Sequence, residues 1–203
     1  MEPFEERMRL GGAAAVKEAT GFFMKDDPVH GALQAIASRL DAEAVPYAVA
    51  GGMALVAHGY DRTTVDIDVL VTESGLRIIH QRLVGLGYRP AFEGSRKQLR
   101  DTERGVRLEF LVSGEFPGDG RPKAVAFPDP TTCSVEIGGV RYLRLSTLVE
   151  LKLASGISHP GRLKDLADVQ ELIQARDLPL ELRDELDPSV REKYTELWRA
   201  TRP

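Results

Sequence analysis

The chain has 203 residues, 42% of them hydrophobic and 29% charged, which is enough to bury a core in one globular domain or a core with a small appendage. Its formal net charge of -4 argues against a generic nucleic-acid coat protein, and its single cysteine, Cys133, excludes a disulfide framework and a cysteine-rich zinc site. With no signal-peptide-like apolar core near the start and no apolar run of about eighteen residues, the expectation is a cytoplasmic, non-membrane protein.

Residues 1–28 are mixed in charge and interrupted by Gly11, Gly12 and Gly21, and read as a peripheral segment. Asp27 and Pro28 then supply an N-cap and a first-turn proline, and Val29, Leu33, Ile36, Ala37 and Leu40 recur at helical spacing. "PYAVAGG" predicts a strand closed by Gly51 and Gly52, followed by a brief helix over Met53 to His58. "VDIDVLVT" alternates with period two. Val65, Ile67, Val69 and Val71 fall on one face, and Asp66 and Asp68 on the other.

Ser74 is placed to cap the next helix, whose stripe is Leu76, Ile79 and Leu83 and whose stop is Gly87; His80 falls within that stripe and reads as a packed core histidine. Residues 89–107 carry six basic and three acidic side chains with one aromatic, Phe92, which suits a solvated hairpin better than a nucleic-acid motif. "GVRLEFLV" is a strand with Arg107 and Glu109 on one side. "SGEFPGDGRPK" is a turn-rich loop, and "CSVEIGGVRYLRL" a hairpin closed by Gly138 and Gly139. After Leu145 the pattern turns helical, over 147–155, 161–175 and 188–200, with Thr147 and Glu150 as a capping box.

Two carboxylates two positions apart on a strand lie about 6.6 Å apart along it and point the same way, so Asp66 and Asp68 can share hard cations such as Mg²⁺ or Mn²⁺. Equally, such a pair on an edge strand can be an ordinary solvated face. Upstream, the Gly51–Gly52 turn would let backbone N–H groups approach a phosphate. Thirteen residues separate Gly52 from Asp66, room for a short helix and a return to a neighbouring strand, which would bring cradle and carboxylates together.

The stretch "GGMALVAHGYDRTTVDIDVLV" resembles the signature of the DNA polymerase beta-like nucleotidyltransferase superfamily. The tail "LSTLVELKLASGISHPGRLKDLADVQELI" resembles that of abortive-infection toxins and related minimal nucleotidyltransferases, and the likeness covers roughly residues 29 to 175. The resemblance implies an α/β fold, a small mixed sheet flanked by helices over 29–145, with a helical C-terminal segment over 146–203 that completes the site. It implies that Asp66, Asp68 and Glu109 hold the metal, with Glu109 standing where aspartate is usual, and that Lys152 and Asp165 (or Asp168, one turn on) complete the catalytic set. The reaction implied is transfer of a nucleoside monophosphate from an NTP to an acceptor hydroxyl of RNA, a protein or a small molecule. A toxin–antitoxin component with an antitoxin partner, or a non-catalytic nucleotide-binding homologue, are the other readings.

The residues carry part of this independently. Lys152 lies amid Leu148, Val149, Leu151 and Leu153, so its ammonium needs a buried anion, phosphate or carboxylate, unless the stem snorkels out. A substrate phosphate as that partner would let Lys152→Met keep or raise stability. Asp165 borders the apolar arc near Val169 and Leu172, though it also suits a plain polar helix face. Arg62 and Thr64 precede the aspartates and suit either triphosphate orientation or turn capping.

Overall fold

The computed structural model describes residues 27–202, and Gly21 before them; most of the segment expected to be peripheral therefore lies outside the described residues. Asp27 does cap the first helix, α1 (Pro28–Ala42), accepting from the Val29 and His30 N–H groups, and the expected stripe from Val29 to Leu40 is buried. After β1 (Tyr47–Val49) the chain turns at once into α2 (Gly51–Ala57) and returns as β2 (Asp66–Val71). α3 (Glu73–Arg82) follows, then β3 (Tyr88–Pro90), β4 (Gln98–Asp101) and β5 (Arg107–Val112). A short α4 (Pro130–Cys133) leads into the hairpin β6 (Ser134–Ile137) and β7 (Val140–Leu143). Helices α5 (Leu145–Ser158), α6 (Leu163–Arg176) and α7 (Pro188–Ala200) end the chain, with 3₁₀ turns at Pro160–Arg162 and Leu180–Glu185.

Among the described residues seven strands form one mixed sheet in the order β3-β4-β5-β2-β1-β7-β6. β2 runs antiparallel to β1 and parallel to β5, and the β2–β5 register pairs Ile67 with Leu108, Val69 with Phe110 and Val71 with Val112. These six side chains share one face and are almost fully buried, with α1 against β2 and β7 and α3 against β5. The intervening positions Asp66, Asp68, Arg107 and Glu109 necessarily share the other face. The three C-terminal helices pack on one another there, α5 innermost. Among the described residues no helix is long and apolar enough to cross a membrane.

Several local expectations are corrected. Thr72, two residues earlier than Ser74, caps α3 by accepting from the Gly75 N–H, and α3 ends at Arg82 rather than reaching Gly87. His80 is only half-buried, its Nε2 2.6 Å from the Arg96 carbonyl, so it ties a surface loop instead of filling the core. The capping box does not form: α5 begins at Leu145 with no side-chain cap, and the Glu150 carboxylate instead accepts from the Asp187 N–H at 2.5 Å. The basic stretch 89–107 does form a largely exposed hairpin. Its β3 and β4 pair antiparallel, and beyond that expectation the hairpin extends the sheet through β5, with Leu99 fully buried.

Candidate functional site

The β2–β5 register sets Asp68 directly opposite Glu109 and Asp66 opposite Arg107. Parallel strands in register put paired side chains side by side, so the arrangement follows from "DID" and "RLE" each alternating in phase with its buried neighbours. Arg107 reaches across to Asp66 Oδ2 at 2.8 Å, and the buried Thr64 donates to Asp66 Oδ1 at 3.1 Å. Asp68 carries no such cation. Burial first, then the charges of Asp66 and Glu109, push its carboxyl up to about 7, against the opposing pull of Lys152 and Arg107.

The glycine turn abuts this carboxylate. Gly51 has φ +57°, and a Cβ there would fall 1.7 Å from Asp68 Oδ2; at Gly52 a Cβ would fall 2.6 Å from Thr64 Oγ1. The Ala50 N–H donates to the Asp68 carbonyl at 2.8 Å, fixing the turn to β2 just where the acidic side chain projects. Neither glycine tolerates a side chain, because the backbone comes as close to Thr64 and Asp68 as backbone can.

The far wall is helical. Lys152 on α5 is 8% exposed and donates to Asp165 Oδ1 at 2.9 Å and Asp168 Oδ2 at 2.7 Å. Arg62 closes the chain of charges with NH1 2.6 Å from Asp168 Oδ1, and Ser155 Oγ donates to Asp165 Oδ2 at 2.7 Å. Burial alone would raise the Asp165 carboxyl; the charge of Lys152 and the hydrogen bonds from Ser155 and Lys152 outweigh it and hold it below the ordinary aspartate value. The buried anion that Lys152 demanded is therefore a pair of aspartates on α6, and both alternatives for the second acidic residue engage it. Arg62 faces this network, and Thr64 faces Asp66.

A cavity of about 130 Å³ joins the two walls. Gly51, Asp68 and Glu109 line one side, Lys152, Ser155, Arg162 and Asp165 the other, with an apolar flank that includes Leu111, Phe127 and Leu151. Of the residues singled out from the sequence, Gly51, Asp68, Glu109, Lys152 and Asp165 meet at this cavity; Gly52, Arg62, Thr64 and Asp66 stand behind it as supports. Arg162 was missed: it falls inside the helix expected over 161–175, whereas the structure sets it in the 3₁₀ turn before α6. The available signal was a cation just ahead of Asp165 at the expected start of that helix.

A solved structure shares this arrangement of elements. The solution structure of the antibiotic-resistance factor ANT(2″)-Ia is 17% identical, over 80% of this chain and 91% of its own, with a TM-score of 0.52. The chain has a nucleotidyltransferase fold. Also similar are the crystal structure of ANT(2″)-Ia in complex with adenylyl-2″-tobramycin, 14% identical over 80% of this chain and 92% of its own with a TM-score of 0.48, and a candidate nucleotidyltransferase from H. pylori, 16% identical over 83% and 89% with a TM-score of 0.45. No family model matches the sequence, and no curated protein matches it.

The donor chemistry of the acidic wall suits a hard divalent cation. Asp66, Asp68 and Glu109 offer carboxylate oxygens only, and the burial and mutual repulsion that raise the Asp68 carboxyl are what a bound cation would offset. As the side chains stand, no group of three or more His, Cys, Asp or Glu among the described residues converges on one point, and Asp66 is engaged by Arg107 and Thr64. Recruiting all three would require Asp66 to exchange Arg107 for the cation.

Proposed function

We propose that the protein is a metal-dependent nucleotidyltransferase that moves a nucleoside monophosphate from an NTP to an acceptor hydroxyl. The observation that carries this reading is the juxtaposition of a glycine turn too tight for any side chain with two carboxylates set side by side on neighbouring strands, Asp68 and Glu109, at one cavity. Asp66, Asp68 and Glu109 would hold Mg²⁺ or Mn²⁺, which when bound neutralises phosphate charge and stabilises the attacking and leaving oxygens.

The chain's own groups account for the rest. Backbone N–H groups of the Gly51–Gly52 turn approach the phosphates. Glu109 orients the acceptor hydroxyl and takes its proton as the oxygen bonds to the α-phosphorus, and the bond to pyrophosphate breaks. Lys152, held by Asp165 and Asp168, fixes α5 and α6 across from the carboxylates. The substitution of glutamate for the usual aspartate does not argue for a non-catalytic homologue here, because Glu109 lies in register with Asp68 and lines the cavity.

Incubation with each of the four radiolabelled NTPs, Mg²⁺ or Mn²⁺, and RNA, protein or small-molecule hydroxyl fractions tests the proposal. Label should pass to one acceptor class with release of pyrophosphate, and Asp68→Asn should abolish it. Transfer to RNA or protein would favour the toxin reading and direct the search for an antitoxin partner. Failure of every NTP to bind or transfer would overturn the assignment.

A further inference from the structure

Two cationic side chains line the cavity, Lys152 and Arg162, and they differ in what holds them. Lys152 is already committed to two aspartates at 2.9 and 2.7 Å, and the nearby Arg62 and Arg107 are committed to Asp168 and Asp66. The Arg162 guanidinium makes no hydrogen bond or ion pair among the described residues, although its charge acts on Asp165. Its backbone is nevertheless pinned. The Arg162 N–H donates to the His159 carbonyl at 2.9 Å, and the Gly161 N–H donates to His159 Nδ1 at 2.9 Å. Gly156 on α5 lets the turn sit flat against the helix, since a Cβ there would fall 2.5 Å from Leu166 and 3.3 Å from the Arg162 carbonyl.

Resting on the nucleotidyltransferase reading, we propose that Arg162 binds the triphosphate of the NTP, clamping it from the helical wall against the Gly51 turn. A triphosphate entering a cavity lined by Asp68, Glu109 and Asp165 meets carboxylates, and the lysine that would ordinarily offset them is neutralised within the protein. Arg162 supplies the missing positive charge, and its planar fork suits bidentate phosphate contact. The anchored turn and the uncommitted guanidinium together give a group carried on a fixed backbone, with no hydrogen bond or ion pair among the described residues to surrender.

The test compares wild type with Arg162→Gln and Arg162→Lys. Binding of ATP, GTP, CTP and UTP and of the matching monophosphates is measured with Mg²⁺ by calorimetry, alongside thermal melts. For whichever NTP wild type binds, Arg162→Gln should weaken affinity about tenfold to hundredfold, the range for a charge-assisted hydrogen bond to phosphate. Monophosphate binding should change little, Arg162→Lys should recover part of the loss, and the melting temperature should fall little, because only the pull of the Arg162 charge on Asp165 is lost. Equal NTP affinity in wild type and Arg162→Gln would overturn the role of Arg162 while leaving the transferase reading intact, and so would a defect confined to the acceptor's KM. A wild type that binds no NTP would sink both.

Discussion

Replacing Lys152 by methionine should destabilise the protein by about 3 kcal/mol, the opposite of what a lysine reserved for substrate phosphate would show. The ammonium stands between Asp165 and Asp168, whose side chains are 16% and 6% exposed. Removing one member of a buried ion pair costs about 3–5 kcal/mol, because the remaining charge stays desolvated. Here the cost falls at the lower end, since Asp168 retains Arg62 at 2.6 Å and Asp165 retains Ser155 at 2.7 Å. In a chain of this size, about 3 kcal/mol corresponds to a fall of roughly 6–12 °C in Tm. Urea titration of wild type, Lys152→Met, Asp165→Asn and the double variant gives the cycle. The double variant should be more stable than the sum of the single losses predicts, by about 1–3 kcal/mol, because the second change removes the charge that the first left unpaired. The deficit should also depend on pH. In wild type the Asp165 carboxyl is held below its unfolded value, so it contributes stability above that value that is lost as pH falls through the lower folded one. Lys152→Met removes the largest lowering influence and leaves burial opposed mainly by Ser155, so its deficit relative to wild type should shrink as the solution is acidified through about pH 4. A variant as stable as wild type at neutral pH, or one whose deficit grows in acid, would show that the aspartates do not depend on Lys152.

Gly51→Ala should destabilise by more than the roughly 1–2 kcal/mol of a left-handed backbone alone, because the new methyl meets the Asp68 carboxylate, and denaturant melts should find the loss reduced when Asp68→Ala is added. Without divalent cation, the raised Asp68 carboxyl binds its proton more tightly in the folded than in the unfolded state. Stability should therefore fall as pH rises from about 4 to about 7, by at most about 4 kcal/mol and less where water reaches the carboxylate; in Asp68→Asn this slope should flatten. Neutralising Arg96, Lys97 and Arg100 together should leave NTP transfer unchanged at physiological salt, since Arg96 and Lys97 already face Glu73 and Glu115 and Arg100 donates to the Gly105 carbonyl at 2.6 Å. A steep salt dependence of acceptor binding that vanishes in the triple variant would instead identify a polyanion such as RNA as acceptor.

The sequence made the parts of the site legible, and the sheet decided how they meet. Alternation in "VDIDVLVT" and "GVRLEFLV" assigns each carboxylate to a face, which is a local property of the pleat. It does not say that β2 and β5 are neighbours, because β3 and β4 intervene in sequence and 89–107 shows charge more strongly than period; only Leu99 and its pairing with Leu108 betray the strand there. The capping errors have the same origin. Thr72 and Ser74 are both competent caps, and the choice between them depends on where β2 stops, which its pairing with β1 and β5 sets at Val71. Lys152 is the instructive intermediate case. Helical periodicity was sufficient to bury it and hence to require an anion, but a buried cation fixes only the sign of its partner. Whether that partner comes from the chain or from a ligand depends on the angle at which α6 returns across α5, and that angle depends on Gly156 having no side chain to hold Leu166 away. With α6 seated that closely, Asp165 and Asp168 reach the ammonium and the charge of Lys152 is consumed inside the protein. The duty of meeting an incoming anion then passes to the next cation lining the cavity, Arg162 in the 3₁₀ turn between α5 and α6.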